Sequence, residues 1–444
     1  RLRIKLWKIT HLDLRFESIP QTLIREDGPK RILPVQLNSM SAFVARLPHS
    51  RSIEKSMKPL YSLGLGKCHP KDLYKTIRPM QNLRYLGLSY NSAENVGPSR
   101  KYDVNWKMER AYFKQIFNKA LPKTLTSLEF GTQSSLSQTL IDKILQYIER
   151  RSNIKELGLP NEIYYVPGRH FIKSHHIPFL EKIRIPQFCG EGIIRSAKTA
   201  RQLKSLKFPM ITPEGSPRMI DIACLLKSNA ASLNELEFLM NASPNPEIFS
   251  NLKSLKSLKS LDLTYLIAKP FTVEGLQQLN ELIKDGGLLN SLSLTLSTSD
   301  DGLKHIAGGL RFQPALQSLN LDFSGSPYFT DASLKCLEEN LGSLLALRNL
   351  GLNFWSCHRI TNDGMKHIRN LLKKLKVLLS FKLTFPNLVD EGIKLVIEGI
   401  KYLSILEMVE LNFYGSHVSE HLAVSLESTL KGIPSLNTCN INYC

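Results

Sequence analysis

Three histidines, His170, His175 and His176, fall within a span of seven residues, and imidazole nitrogens this close could hold a metal ion or relay a proton. No cysteine or acid stands beside them at the spacing a coordination sphere needs, so the stretch 163–177 is expected to be a solvated loop without metal. Seven cysteines (Cys68, Cys189, Cys224, Cys336, Cys357, Cys439 and Cys444) form no CxxC pair. Their odd count points to free thiols in a reducing, intracellular setting. Gly64-Leu-Gly-Lys67 has the wrong spacing for a phosphate loop, and no nucleophile elbow, zinc-binding histidine pair or dinucleotide fingerprint occurs. Asn241-Ala-Ser243 matches a glycosylation acceptor, at a frequency that chance supplies. The expectation is therefore no enzyme, no cofactor and no metal. The chemistry left is hydrogen bonding and charge, and what matters is how the chain arrays it.

One pattern does the arraying: apolar-x-x-apolar-x-apolar. In the second half it reads Leu258/Leu261/Leu263, Leu289/Leu292/Leu294, Leu316/Leu319/Leu321, Leu347/Leu350/Leu352, Leu378/Phe381/Leu383, Leu406/Val409/Leu411 and Leu436/Cys439/Ile441. The last positions are 31, 27, 31, 31, 28 and 30 residues apart by subtraction. Earlier copies lead back to Leu83/Leu86/Leu88, with weaker ones at Leu60/Leu63/Leu65, Ile32/Val35/Leu37 and Ile9/Leu12/Leu14, sixteen in all. The period of two predicts short strands with one buried face. Between them, segments such as Asp331–Leu341 and Asp390–Ile400 have helical periodicity. Their starts carry capping residues and acids at Thr330-Asp331, Thr361-Asn362-Asp363 and Ser299-Asp300-Asp301. A strand and a helix every thirty or so residues, joined by right-handed crossovers, give an α/β solenoid. Parallel strands should line a concave face and helices a convex one.

The pattern resembles leucine-rich-repeat proteins over nearly the whole chain, which implies a curved horseshoe that binds macromolecules. Cys357-His-Arg-Ile-Thr-Asn-Asp-Gly-Met365 is similar to the cysteine-containing repeats of F-box substrate receptors. The asparagine usual after the strand is mostly replaced by Tyr265, Leu296, Phe323, Phe354, Phe385, Phe413 and Tyr443, which are expected to fill the core.

The concave positions of the second half are the candidate protein-binding face: Asp262, Thr264, Thr295, Asn320, Asp322, Asn353, Lys382, Thr384, Glu410, Asn412, Asn440 and Asn442. That surface is polar and nearly neutral, suited to a protein or peptide and poorly to phosphate. The first half differs in charge. Residues 1–230 hold 39 Lys/Arg and 18 Asp/Glu (39 − 18 = +21), against 19 and 21 (−2) in 231–444. The copies before residue 230 are also irregular, with a polar insertion at 91–105 and an amphipathic helix at 106–119. Arg100, Lys101, Lys107, Arg110, Lys114, Arg184, Lys204 and Lys207 are the candidate basic docking residues. They should attract an acidic surface such as that of tubulin, with nucleic acid ranked behind because aromatics do not interleave with the bases. No run of about 18 apolar residues predicts a membrane span. A chain that starts at Arg1 and ends on a bare strand is expected to be incomplete or covered by a partner there. The functional expectation is a scaffold or adaptor in a larger cytoplasmic, cytoskeletal or organellar assembly. The alternatives are the substrate-recognition subunit of an F-box-type ubiquitin ligase and a nucleic-acid-contacting subunit of a ribonucleoprotein.

Overall fold

Strands form where the repeat places them. The computed structural model describes residues 11–14, 62–65, 77–78, 80–88, 113–131, 135–164, 172–186, 191–211, 217–240, 246–265, 271–285, 288–386, 388–416 and 418–442. The chain falls into two units, Arg1–Leu206 and Lys207–Cys444.

In the first unit the strands are His11–Leu14 (β1), Ser62–Leu65 (β2), Tyr85–Leu88 (β3), Ser127–Phe130 (β4), Ser135–Ser137 (β5), Glu156–Gly158 (β6), Glu162–Tyr164 (β7) and Lys182–Arg184 (β8). Gln138–Glu149 (α1) and Glu191–Ala197 (α2) are its α-helices among the described residues. β1, β2, β3, β4, β6 and β8 pair in that order, all parallel. β1 pairs directly with β2, and the copy Ile32/Val35/Leu37 lies outside the described residues. Of the insertion and its expected helix, residues 91–112 lie outside them too. From Phe113 the chain is helical and ends in a wide π-turn, Ile116–Ala120, where the Leu121 N–H donates back to the Ile116 carbonyl. Phe113, Ile116, Phe117 and Ala120 are buried, as an amphipathic helix requires.

The second unit is more regular. Ser205–Ile211 (β9) runs across the boundary, and Glu235–Met240 (β10), Ser260–Tyr265 (β11), Ser291–Thr295 (β12), Ser318–Asp322 (β13), Asn349–Asn353 (β14), Ser380–Thr384 (β15), Met408–Asn412 (β16) and Thr438–Asn442 (β17) follow. β10 to β17 pair in chain order, every neighbour parallel, with the motif positions in register. The helices are Pro217–Ser228 (α3), Pro246–Lys253 (α4), Val273–Asp285 (α5), Asp300–Leu310 (α6), Asp331–Leu341 (α7), Met365–Lys374 (α8), Asp390–Ile400 (α9) and Glu420–Lys431 (α10). This is the α/β leucine-rich-repeat solenoid that the periodicity predicts. Leucines of successive strands stack in two buried rows, Leu261/Leu292/Leu319/Leu350 and Leu263/Leu294/Leu321/Leu352. The series after each strand is core where it is described: Phe323, Phe354, Phe385 and Phe413 are fully buried, Phe354 and Phe385 with centroids 5.7 Å apart. Tyr265 and Leu296 are buried as well, and Tyr443 lies outside the described residues.

One polar device ties repeat to repeat. Asp300 opens α6 and accepts hydrogen bonds from the Thr330 N–H (3.0 Å), the Thr330 hydroxyl (2.6 Å) and the Ser333 hydroxyl of the next repeat. Asp331 does the same for the Thr361 N–H (2.8 Å) and hydroxyl (2.7 Å), and Asp390 accepts from the Ser419 N–H (2.9 Å). The capping residues Ser299, Thr330 and Ser419 accept from N–H groups of their own first turns. The Thr361-Asn362-Asp363 start is displaced: 362–364 form turns and α8 begins at Met365. Thr361 nevertheless accepts the Asp363 N–H at 3.2 Å, so it caps the turn rather than the helix.

Candidate binding face

The strand registers bring the candidate binding residues of the second unit into two rows. Asp262, Ser293, Asn320, Gly351, Lys382, Glu410 and Asn440 form one, and Thr264, Thr295, Asp322, Asn353, Thr384, Asn412 and Asn442 the other. All twelve candidates are partly or fully exposed, since alternate strand residues must leave the buried face.

The fold already uses several of these groups. Asp322 accepts the Ser324 N–H (2.9 Å), Asn353 the Trp355 N–H (3.1 Å) and Asn412 the Tyr414 N–H (3.2 Å). Each is an Asx turn that ends a strand. Asn353 also donates to Asp322 Oδ2 at 3.0 Å, and Lys382 pairs with Glu410 at 2.7 Å. Burial, then the nearby Glu237 carboxylate, push the Asp262 carboxyl above its usual range. With Lys382 and Glu410 cancelling, Asp262 and Asp322 are the carboxyls left among the amides and hydroxyls of the rows, a small net negative charge.

Those Asx turns throw out a group of side chains not anticipated from the repeat. Trp355 (39% exposed) and Tyr414 (52%) pack at a tilt, with 5.0 Å between centroids, reaching across the intervening repeat. Tyr328 (54% exposed) follows β13, with the Arg359 guanidinium 5.4 Å from the centroid of its ring. The signal was present as the matched triplets Asn353-Phe-Trp355 and Asn412-Phe-Tyr414. The middle Phe enters the core, so the next residue must face out.

The basic docking candidates divide. Arg100, Lys101, Lys107 and Arg110 lie outside the described residues, and Lys114 is exposed on the helical segment. Arg184 is built into the sheet face: it pairs with Glu129 (3.1 Å) and donates to the Leu159 carbonyl (2.9 Å) and to the Phe130 carbonyl. Gly158 lies beneath this bridge, where a Cβ would meet Glu129 Cγ at 2.7 Å. Lys204 pairs with Glu181 (2.7 Å) and Lys207 with Glu237 (2.6 Å), both pairs staying solvated.

The expected loop at 163–177 is corrected on two points. It begins inside β7, which pairs with β5 in a separate two-stranded sheet. His175 is buried rather than solvated, with Nε2 3.0 Å from Asp142 and Nδ1 3.1 Å from Glu149, both on α1. The hydrogen bond to Asp142, helped by Glu149, holds its pKa above the usual imidazole value in spite of burial. Sequence spacing missed these acids because they stand 33 and 26 residues upstream. Tyr165 and His170 lie outside the described residues.

No protein-family model matches the chain, and neither does any curated protein sequence. Among solved structures, the crystal structure of a TLR13–ssRNA13 complex aligns at 14% identity and a TM-score of 0.35. The alignment covers 87% of this chain and 46% of that one, so the chain spans about half the length of its structural match. Among the described residues, no helix is long and apolar enough to cross a membrane.

Proposed function

We propose that the chain is a non-catalytic scaffold whose second unit holds a protein partner on its strand face. One observation carries this reading: two rows of mostly polar, solvent-facing side chains run in register across consecutive strands. The aromatic ledge of Trp355 and Tyr414 flanks them. Periodic donors and acceptors match a polypeptide backbone or polar side chains, and rigid Trp and Tyr supply contact area at small entropic cost. The near-neutral surface offers phosphate little. The +21 of residues 1–230 supports a second role, docking on an acidic macromolecular surface within an assembly. Substitution of Trp355 and Tyr414 by alanine tests the first role, with partner binding expected to weaken by about 2 kcal/mol or more.

A second reading, substrate recognition in an F-box-type ubiquitin ligase, is supported by the Cys357–Met365 segment. Cys357 is buried and its thiol donates to the Phe323 carbonyl of the preceding repeat at 3.4 Å. Co-purification with ligase subunits is expected on that reading, and a pull-down free of them counts against it. For a nucleic-acid-contacting role the expected sign is RNA retained after purification at low salt.

A further inference from the structure

The turns that lead from each helix into the next strand carry a pattern that neither role uses. Their positions are held in line by a ladder of backbone bonds. The Asn290 N–H donates to the Lys259 carbonyl (2.8 Å), Gln317 to Asn290 (2.8 Å), Arg348 to Gln317 (2.8 Å), Leu379 to Arg348 (2.7 Å) and Glu407 to Leu379 (2.8 Å). Neighbouring turns are therefore about 5 Å apart, the spacing of paired strands. Among the described residues of these turns between 229 and 437, six cations, Lys256, Lys259, Arg311, Arg348, Lys376 and Lys401, stand against one carboxylate, Glu407. All six are exposed. Residues 231–444 as a whole have a charge of −2, so this edge is more basic than the half that carries it. Helix dipoles explain Arg311 and Lys401, which are C-caps, but Lys259 and Arg348 sit beyond any helix, next to a strand.

The same turns expose large apolar side chains. Leu288, Phe312, Leu345, Val377, Tyr402 and Ile405 range from 41% exposed (Val377) to 66% (Leu345). Lys284 and Arg311 lie over Phe312, at 5.2 and 4.9 Å from its centroid, and Lys373 lies 5.0 Å from that of Tyr402. Apolar groups and cations thus share one row of adjacent turns, and exposed apolar side chains gathered in this way mark an interaction surface.

We propose that this edge docks an acidic peptide segment that presents apolar side chains between its carboxylates. Charge complementarity selects the acid, and the leucine, isoleucine and aromatic side chains select the apolar component. A peptide is favoured over an anionic bilayer. The cations stand singly among exposed apolar side chains, a spacing that pairs with individual carboxylates of a peptide.

The test uses the full chain and a fluorescent peptide of repeated Leu-Glu-Glu-Leu units, with a Leu-Lys-Lys-Leu peptide of equal length as its counterpart. The acidic peptide is expected to bind and the lysine peptide not, and because the basic residues 1–230 also attract acid, the edge is read from the part of that binding its variants remove. L345Q/I405Q and R311E/K401E should each weaken binding about tenfold or more, and V424Q, on the solvated side of α10, should not change it. The substituted side chains are exposed, and the charge-reversal pair reads the same site without touching apolar groups. Absence of peptide binding, or equal binding by all variants, overturns the proposal. Binding of phosphatidylserine vesicles through these side chains without peptide binding overturns it as well and gives the edge to a membrane.

Discussion

His175 shows how one side chain can join elements far apart in sequence. It faces Asp142 and Glu149 on α1, while its own N–H donates to Ser196 Oγ (2.8 Å) on α2. Its pKa is raised in the fold, so its contribution to stability is fully present below the ordinary value of 6.5 and is lost as pH rises through the raised one. The carboxylates run the opposite way. Burial pushes Asp142 up but its hydrogen bonds to His175 and Lys173 leave it low, and Glu149 is lowered by the His176 N–H and then by His175. Their contribution is present above the usual carboxylate values and lost in acid. The bridge is therefore strongest between those ranges. His175→Leu should cost about 2 kcal/mol near pH 6 and less near pH 9, as read by urea unfolding at each pH. An equal cost at both would separate the bridge from the ring's charge. Thiol chemistry gives a second check at this scale. Burial pushes the Cys357 thiol up to about 12, so iodoacetamide at neutral pH should spare it in the folded chain while alkylating exposed Cys224. Mass spectrometry of the labelled peptides reads the difference.

At the scale of the element, the repeat was legible because its signal is local and recurs. Asp331–Leu341 and Asp390–Ile400 are helices at the bounds their periodicity predicts. Strand registers follow from Leu258 to Ile441 for the same reason: a one-residue slip would turn the leucines to solvent. What periodicity could not supply is any contact made between repeats. The Asp300–Thr330 and Asp331–Thr361 links join residues 30 apart, and the sequence shows only capping residues and first-turn acids there. Asp331→Ala should remove two acceptors for Thr361 and cost about 1–2 kcal/mol, measured by chemical denaturation. Asp331→Asn, which keeps an acceptor oxygen, should recover part of that loss. The binding rows were legible as residue types. The outward Trp355 and Tyr414 were legible in the Asn-Phe-aromatic triplets, but the preoccupation of Asp322, Asn353 and Asn412 in Asx turns depends on backbone geometry that the pattern does not encode.

For the whole molecule, charge and shape of surface divide the labour. The +21 of residues 1–230 is little altered by the ion pairs at Lys204 and Lys207, since solvated pairs are weak and net charge persists at long range. Binding of the full chain to a polyglutamate-coated surface should fall more than tenfold as ionic strength rises from about 0.05 to about 0.3 M. Salt-insensitive binding would remove the electrostatic role. The strand face is expected to behave differently, with a partner held mainly by hydrogen bonds and aromatic contact and only mildly sensitive to salt. The decisive measurement compares affinity capture by the full chain with capture by T295Y/N320Y/T384Y, which fills the polar rows with neutral bulk on outward strand positions. A protein partner held by the wild type and reduced at least tenfold by the variant, at matching circular dichroism, is the predicted result. Recovery of the same partners in the same amounts by both would contradict the claim that this face does the binding.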